Sequence, residues 1–481
     1  MSAPRRFVAG IDSSTQSCKV VIIDPATGER LRDGTAVHPE GTEVDPEAWW
    51  QALTSACAAA GGLDDVAAVS IAGQQHGLVA LDDEGRVVRD ALLWNDTRSG
   101  ESAEELVREV GADEYAARSG VVPVASFTAA KLRWVCSHEP HHARRIAAVA
   151  LPHDWLTWRL LGYGPAGSLR GPDLEALTTD ASDASGTAYF SPRTRTYDPE
   201  LFTQAFGRPC RTAGTQSDDA RAVVLPRILA AHEQAGITPD GIVVGAGAGD
   251  NAAAALGLDA GPGDVVISIG TSGTVFASTD RAILDPSGTV AGFASATGGN
   301  LPLVATLNAA RVLTAASRAL RADHDEVAAL ALRSVPGAAG LTVIPYFEGE
   351  RTPNLPDATA RLEGLTLANT QPEHLARAFV EGMLCGLSDG LEALLRLGVP
   401  AERLVLIGGA ARNPAVREVA RHIFTAPIDV PEQAEYVAIG AARQAAWSLT
   451  GDLPRWNVPT VATMHPRPSR VIEQYHAHTR G

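Results

Sequence analysis

The sequence predicts an α/β protein built from two large domains. Three observations carry that expectation. Strand-length apolar runs alternate with helical patterns along the chain. A length of 481 residues exceeds what one hydrophobic core usually organises. A glycine- and hydroxyl-rich turn between two β-branched runs occurs twice, first within 7–24 and again, about 260 residues later, within 264–278.

The first domain opens with the hairpin over 6–24. Asp45-Pro46 reads as an N-cap followed by proline in the first helical turn, so a helix is expected over 46–60. A strand over 66–72 ends in Gly73-Gln-Gln-His-Gly77. Helical patterns follow near 101–117, 128–138 and 154–161, and again near 199–206 and 226–235 inside a stretch rich in Gly, Pro, Ser, Thr and Asp. The domain boundary is placed near 240, giving domains over 1–240 and 241–450 and a polar tail over 451–481.

The second domain begins with a strand over 242–245, a loop over 246–250 and an alanine-rich helix from Asn251. The second hairpin covers 264–279. Leu375, Phe379, Met383, Leu387, Leu391 and Leu394 or Leu395 recur at helical spacing, which predicts a long core helix over 372–396. A strand over 403–407, the turn Gly408-Gly-Ala-Ala-Arg-Asn413, a helix to 424, a strand over 428–430 and a helix over 436–448 complete the pattern. A phosphate-type hairpin in each half suggests a duplication.

Composition narrows the function. The net charge of −16 argues against a nucleic-acid surface. Five scattered cysteines without C-x-x-C spacing predict neither a disulfide framework nor a zinc site and fit a reducing cytoplasm. Residues 1–10 lack a signal-peptide core, and no apolar run reaches membrane-spanning length. A soluble cytoplasmic protein is expected.

The chemistry concentrates at the turns. Asp12 ends an apolar strand and suits Mg²⁺, which takes one or two carboxylates together with substrate phosphates; an ordinary turn-forming Asp is the competing reading. Ser13, Ser14, Thr15 and Gln16 in the first turn, and Gly270, Thr271, Ser272, Gly273 and Thr274 in the second, offer hydroxyls and backbone N–H groups to phosphate oxygens. No G-x-x-x-x-G-K-[ST] run exists, so a P-loop is excluded. Asp250 follows Gly245-Ala-Gly-Ala-Gly249, where a carboxylate could take a proton from an attacking hydroxyl or could simply cap the next helix. Gln74, Gln75 and His76, and Trp94-Asn95-Asp96-Thr97-Arg98, supply the donors, acceptors and aromatic face that a polyhydroxyl ligand needs.

Taken together the chain resembles the FGGY carbohydrate kinases, members of the actin-like ATPase superfamily, over about residues 6–447. The resemblance is carried by Gly10-Ile-Asp-Ser-Ser-Thr-Gln-Ser17, Gly73-Gln-Gln-His-Gly77, Phe127-Thr-Ala-Ala-Lys131, Leu151-Pro-His-Asp-Trp155 and Thr179-Asp-Ala-Ser-Asp-Ala-Ser-Gly-Thr187. Gly247-Ala-Gly-Asp-Asn251, Gly270-Thr-Ser-Gly-Thr274, Gly349-Glu-Arg-Thr-Pro353 and Gly408-Gly-Ala410 extend it through the second half. It implies two actin-like, ribonuclease-H-like ATPase domains with an ATP–sugar cleft between them. Within the family, the 179–187 and 349–353 motifs favour the branch that transfers the ATP γ-phosphoryl group to O5 of D-xylulose. By motif match Asp250 resembles the catalytic base, Gln75 and His76 the sugar-binding pair, and Asn251 a residue beside the sugar. Asp12 resembles the Mg²⁺-associated acid, and Gly408, Gly409 and Asn413 the adenosine-side loop. Ser14 stands where the family often has Gly, and Gln75 where Met is frequent. The resemblance also suggests a homodimer. The alternatives are a kinase for another ketose or polyol, and a non-catalytic actin-like sugar sensor.

Overall fold

A computed structural model describes residues 5–467 and 469–479. Residues 1–4 of the segment weighed as a leader, and Pro468, Arg480 and Gly481 of the tail, lie outside the described residues. The chain divides into two compact units. The first comprises Met1–Asp259, Asp280–Leu301 and Glu435–Asn457; the second comprises Ala260–Thr279, Pro302–Ala434 and Val458–Gly481.

The first unit is organised by a seven-stranded sheet. Its strands are β1 (Phe7–Ser13), β2 (Ser17–Ile23), β3 (Arg30–Val37), β4 (Val66–Gly73), β5 (Gln234–Ile237), β6 (Val243–Gly245) and β7 (Ala248–Gly249). The order is β5-β6-β4-β1-β2-β3, with β7 also pairing with β4. Strands β1, β2 and β3 form an antiparallel meander, whereas β1, β6 and β7 run parallel to β4. Helix α1 (Pro46–Ala59) starts as expected, with Asp45 accepting from the Glu47 N–H. It buries Trp49 and Leu53 in the apolar cluster that includes Ile11, Val69 and Ile71.

The opposite face is covered closely. Helices α2 (Asp250–Gly257) and α3 (Tyr436–Thr450) pack on each other, and α3 lies on β1 and β4. A Cβ at Gly10 would come 1.8 Å from the Ala438 carbonyl, and one at Gly440 would come 1.9 Å from the Ala253 carbonyl. Alanine and glycine therefore dominate here because backbones meet with no room for larger side chains. That close packing fixes the start of α2 against the sheet.

The main sheet of the second unit contains β8 (Asp264–Ile269), β9 (Gly273–Ala277), β10 (Asn300–Thr306), β11 (Arg403–Ile407), β12 (Ile428–Pro431) and β13 (Thr460–Met464). They follow the order β10-β9-β8-β11-β12-β13. The pairing senses repeat those of the first unit: β8 is antiparallel to β9 and parallel to β11, β12 is parallel to β11, and β13 closes the edge antiparallel to β12. This matched topology is the structural counterpart of the repeated hairpin. The helix Pro372–Arg396 buries Met383, Leu387, Leu391 and Leu394, while Leu395 is 44% exposed.

Three expectations differ from the structure. The division expected near 240 differs from the observed partition, because β6 and β7 pair with β4 and so belong to the first unit, as does α3. The helix expected over 226–235 is absent. Arg227–Leu229 is a strand pairing with Thr178–Asp180, and β5 pairs with β6, so long-range pairing overrides the local pattern. The helix expected over 101–117 breaks at Gly111 (φ 97°) into Gly100–Val110 and Ala112–Ser119. In the tail, β13 and the helix Val471–Thr479 are ordered parts of the second unit.

Candidate active site

Strand β4 places two carboxylates together. Asp12 and Ser13 of β1 pair with Ala72 and Gly73 from one side, and Ala248 and Gly249 of β7 pair with the same two residues from the other. Asp250 directly follows Gly249, so Asp12 and Asp250 flank the carboxyl end of β4, where open α/β sheets bind ligands.

Asp12 is buried and accepts a hydrogen bond from the Ser14 hydroxyl. Burial lifts its pKa to about 6; the negative charge of Glu435 adds to this, while the Ser14 bond and Lys19 oppose it. Lys19 stands opposite Asp12 on β2, but its ammonium is paired with Glu435 at 2.6 Å.

Asp250 is the first residue of α2, with Gly249 as the N-cap. Its carboxylate accepts from the Asn251 N–H (2.7 Å) and Asn251 Nδ2 (2.8 Å). Burial, followed by the charge of Asp12, pushes its pKa up to about 7 against those two bonds. A carboxylate so placed takes up and releases a proton near neutral pH.

The next residues of the strand end are also ordered. Gln75 donates through Nε2 to the Ser182 carbonyl (3.0 Å) and lies against Gly249, where a Cβ would come 2.8 Å from its side chain. His76 adopts a left-handed backbone (φ 70°), and its Nδ1 lies 2.9 Å from the Gly186 carbonyl. Its own carbonyl accepts from Lys131 Nζ (2.8 Å) and Thr128 Oγ1 (3.2 Å). Phe127 meets its ring edge-on and Phe293 at a tilt, at 4.8 and 5.7 Å between centroids.

Beneath this group lies a buried ion cluster. His153 Nδ1 is 2.5 Å from Asp183 Oδ2 and 3.2 Å from Asp154 Oδ1. Burial disfavours the imidazolium, yet the two carboxylates outweigh it and hold its pKa up at about 10.

The turns expected to hold phosphate are well defined. Ser13 is buried and its carbonyl accepts from the Gln74 N–H, while Ser14, Thr15 and Gln16 form the bend. Thr15 Oγ1 accepts from Trp94 Nε1 (2.8 Å), and the Ser14 carbonyl meets His38 Nδ1 (2.9 Å). In the second unit, Gly270 and Thr271 are exposed at the turn, Ser272 and Thr274 are half-buried, and Gly273 is buried. The Gly270 carbonyl accepts from the Ala310 N–H (2.8 Å). Gly408 (φ 92°) passes so close to β8 that a Cβ would meet the Ile269 carbonyl at 2.5 Å. Gly409 opens a short 3₁₀ turn, and Asn413 caps the helix Pro414–Ile423 by accepting from the Ala415 and Val416 N–H groups.

Some residues have duties the sequence did not indicate. Asp96 accepts from Thr42 and Arg98, whereas Trp94 donates to Thr15 in the first turn. His153, Ser182, Asp183 and Lys131 support Gln75 and His76 or their surroundings. They lie within quoted motifs, but polar residues in apolar runs signal burial without signalling a role. Glu350 is likewise buried and holds the Leu307 N–H (2.6 Å) and Asn308 Nδ2 (2.9 Å), just before Ala310.

The model of the N-terminal domain of FGGY carbohydrate kinases matches residues 7–257, and that of the C-terminal domain matches 265–449. The chain belongs to the FGGY family of carbohydrate kinases. It is 42% identical over 471 residues to a xylulose kinase of Streptomyces coelicolor, covering 94% of this chain and 91% of the relative. It is 33% identical over 452 residues to one of Escherichia coli, covering 91% and 89%. The crystal structure of a xylulose kinase from Bifidobacterium adolescentis superposes with a TM-score of 0.90 at 45% identity, covering 99% of this chain and all of that one. The protein is therefore an ATP-using carbohydrate kinase with the two-domain actin-like fold. Among the described residues no helix is long and apolar enough to cross a membrane.

Proposed function

We propose that this carbohydrate kinase transfers the γ-phosphoryl group of ATP to O5 of D-xylulose, giving D-xylulose 5-phosphate and ADP, with Asp250 as general base. The observation that carries the reading is Asp250 itself: a carboxylate pushed up to about 7, at the end of a strand that also presents Gln75 beside Gly249. The names of the relatives support the sugar.

Gln75, His76 and Asn251 bind the sugar hydroxyls. Asp250 accepts the O5 proton as the O5–Pγ bond forms and the bond from Pγ to the β-phosphate oxygen breaks, releasing ADP. Ser13, Ser14, Thr15 and Gln16, and Gly270, Thr271, Ser272, Gly273 and Thr274, are assigned to phosphate recognition. Gly408, Gly409 and Asn413 are assigned to the adenosine. Asp12 fits a divalent cation, because a buried carboxylate beside another, with its nearest lysine tied to Glu435, lacks a dedicated positive partner. Asp12 would hold Mg²⁺ directly or through water, and the ion would neutralise phosphate charge.

A panel of D-xylulose, D-ribulose, L-ribulose, xylitol and glycerol, with coupled ADP detection and mass analysis of the sugar, tests the reading. D-Xylulose is expected to give the highest kcat/KM and a product heavier by one phosphoryl group. A higher kcat/KM for another member of the panel overturns the substrate assignment, and an unmodified sugar throughout favours a sensor. Light scattering tests the homodimer that family resemblance implies, and cell fractionation tests the cytoplasmic site.

A further inference from the structure

We infer that Ser182 is the positioning residue that ties the Asp250 loop to the sugar-binding Gln75; the inference rests on the general-base reading of Asp250. Ser182 is wholly buried and uses its two polar ends on two different segments. Its carbonyl accepts from Gln75 Nε2 at 3.0 Å, and its hydroxyl oxygen accepts from the Gly249 N–H at 3.0 Å. Gly249 immediately precedes Asp250. One residue therefore sets the separation between the group that holds the sugar and the group that takes its proton.

Ser182 is itself held from below. Asp180 accepts from the Ser182 N–H (2.8 Å) and the Asp183 N–H (3.0 Å). Asp183 is anchored by the His153 imidazolium, at 2.5 Å. The same histidine ring lies against the Asp250 loop: its Nε2 is 3.4 Å from the Ala246 carbonyl, and a Cβ at Gly247 would come 2.2 Å from the ring. Across the loop, Gln444 of α3 accepts from the Gly247 N–H (3.0 Å) and donates to the Gly247 carbonyl (2.9 Å). Residues 246 and 247 are thus clamped from two sides. Ala248 and Gly249 pair with β4 on one side, and the Gly249 N–H, next to Asp250, is held by Ser182.

The chemical consequence is specific. Removing the hydroxyl leaves the Ser182 carbonyl on Gln75, so the sugar still binds. The Gly249 N–H loses its acceptor, and the Asp250 carboxylate, still carried by β7 and α2, shifts relative to the reacting oxygen. Misplacement of a reacting group by about 1 Å can cost about 100-fold in rate.

The test is Ser182→Ala in the wild-type and Asp250→Asn backgrounds, with kcat and KM for D-xylulose measured by coupled ADP detection and folding checked by thermal melting. The single variant is expected to lower kcat about 10- to 100-fold while KM shifts less than about threefold. In the Asp250→Asn background it is expected to change kcat no further, because the group it positions has already lost its function. Wild-type kcat in Ser182→Ala, or the same fold-loss in both backgrounds, overturns the inference. Near-normal turnover by Asp250→Asn alone overturns the general-base reading and the inference with it. If Ser182→Ala does not accumulate folded, Ser182→Cys carries the same comparison with the same outcomes.

Discussion

Asp12 and Asp250 flank the end of β4 from opposite sides, and the charge of Asp12 adds to the burial that lifts Asp250 to about 7. Two buried carboxylates at adjacent strand ends resist full ionisation in each other's presence. The pair therefore stores negative charge that a cation can neutralise and keeps one member responsive near neutral pH.

Removing the charge of Asp12 should make Asp250 easier to ionise. In protein free of nucleotide and Mg²⁺, difference infrared spectra between wild type and Asp250→Asn should place the Asp250 carboxyl titration near pH 7. Asp12→Asn should move that midpoint down, since a negative neighbour has gone. A midpoint unmoved by Asp12→Asn would show that burial alone sets it.

Asp250→Asn separates catalysis from stability. Loss of general-base assistance is expected to cut kcat by about 10²–10⁴ while ATP affinity is retained. Stability should move the other way. Between the ordinary Asp value of 3.8 and the native value of about 7, the native state holds a proton that the unfolded chain has released. Wild-type stability therefore falls as pH rises through that window. The variant lacks this burden and should unfold with a free energy higher by about 1–3 kcal/mol at pH 8, converging with wild type near pH 4. Denaturant melts at the two pH values check both the size and the convergence.

Much of this arrangement was legible in the sequence, for definable reasons. Asp12 stands out because it ends an apolar strand at a hydroxyl-rich turn, and Asp250 because it follows a glycine-rich loop, both purely local signals. The hairpin repeat likewise reads from local pattern, and the sheets confirm it with identical pairing senses. What escaped depends on long-range pairing. The 226–235 segment carries a helical pattern but is consumed by two strand pairings. Helix α3 lies on β1 although more than 400 residues separate them in sequence, and only the glycine and alanine contacts explain its composition. Ser182 and His153 were unreadable as functional positions because a buried serine or histidine in a motif looks the same whether it packs or positions.

Asp12 also predicts a metal dependence. With Lys19 held by Glu435, Asp12→Ala should leave the first turn without its carboxylate and, on the proposed Mg²⁺ role, raise the Mg²⁺ concentration for half-maximal activity about tenfold. A Mg²⁺ titration at fixed ATP reads this directly. A curve superimposable on wild type would overturn the proposed Mg²⁺ role of Asp12.

Lys131 offers the sharpest separation of sugar binding from chemistry. It is wholly buried, and its ammonium donates to the His76 carbonyl at 2.8 Å and to the Ser126 carbonyl. His76 needs that support because its left-handed backbone, at φ 70°, costs about 1–3 kcal/mol in a residue other than glycine. Lys131→Met keeps the length and apolar stem of the side chain but removes the donor. The His76 carbonyl then keeps Thr128 Oγ1, at 3.2 Å, while losing its charged partner. Stability should fall by about 2–3 kcal/mol. The His76 ring, whose Nδ1 meets the Gly186 carbonyl, should lose its fixed aim. Because Asp250 sits on a different segment, KM for D-xylulose is expected to rise about tenfold with kcat within about threefold of wild type. Steady-state kinetics and a thermal melt on the same preparation decide the matter: a lowered melting temperature with an unchanged KM would make Lys131 a support for the fold alone.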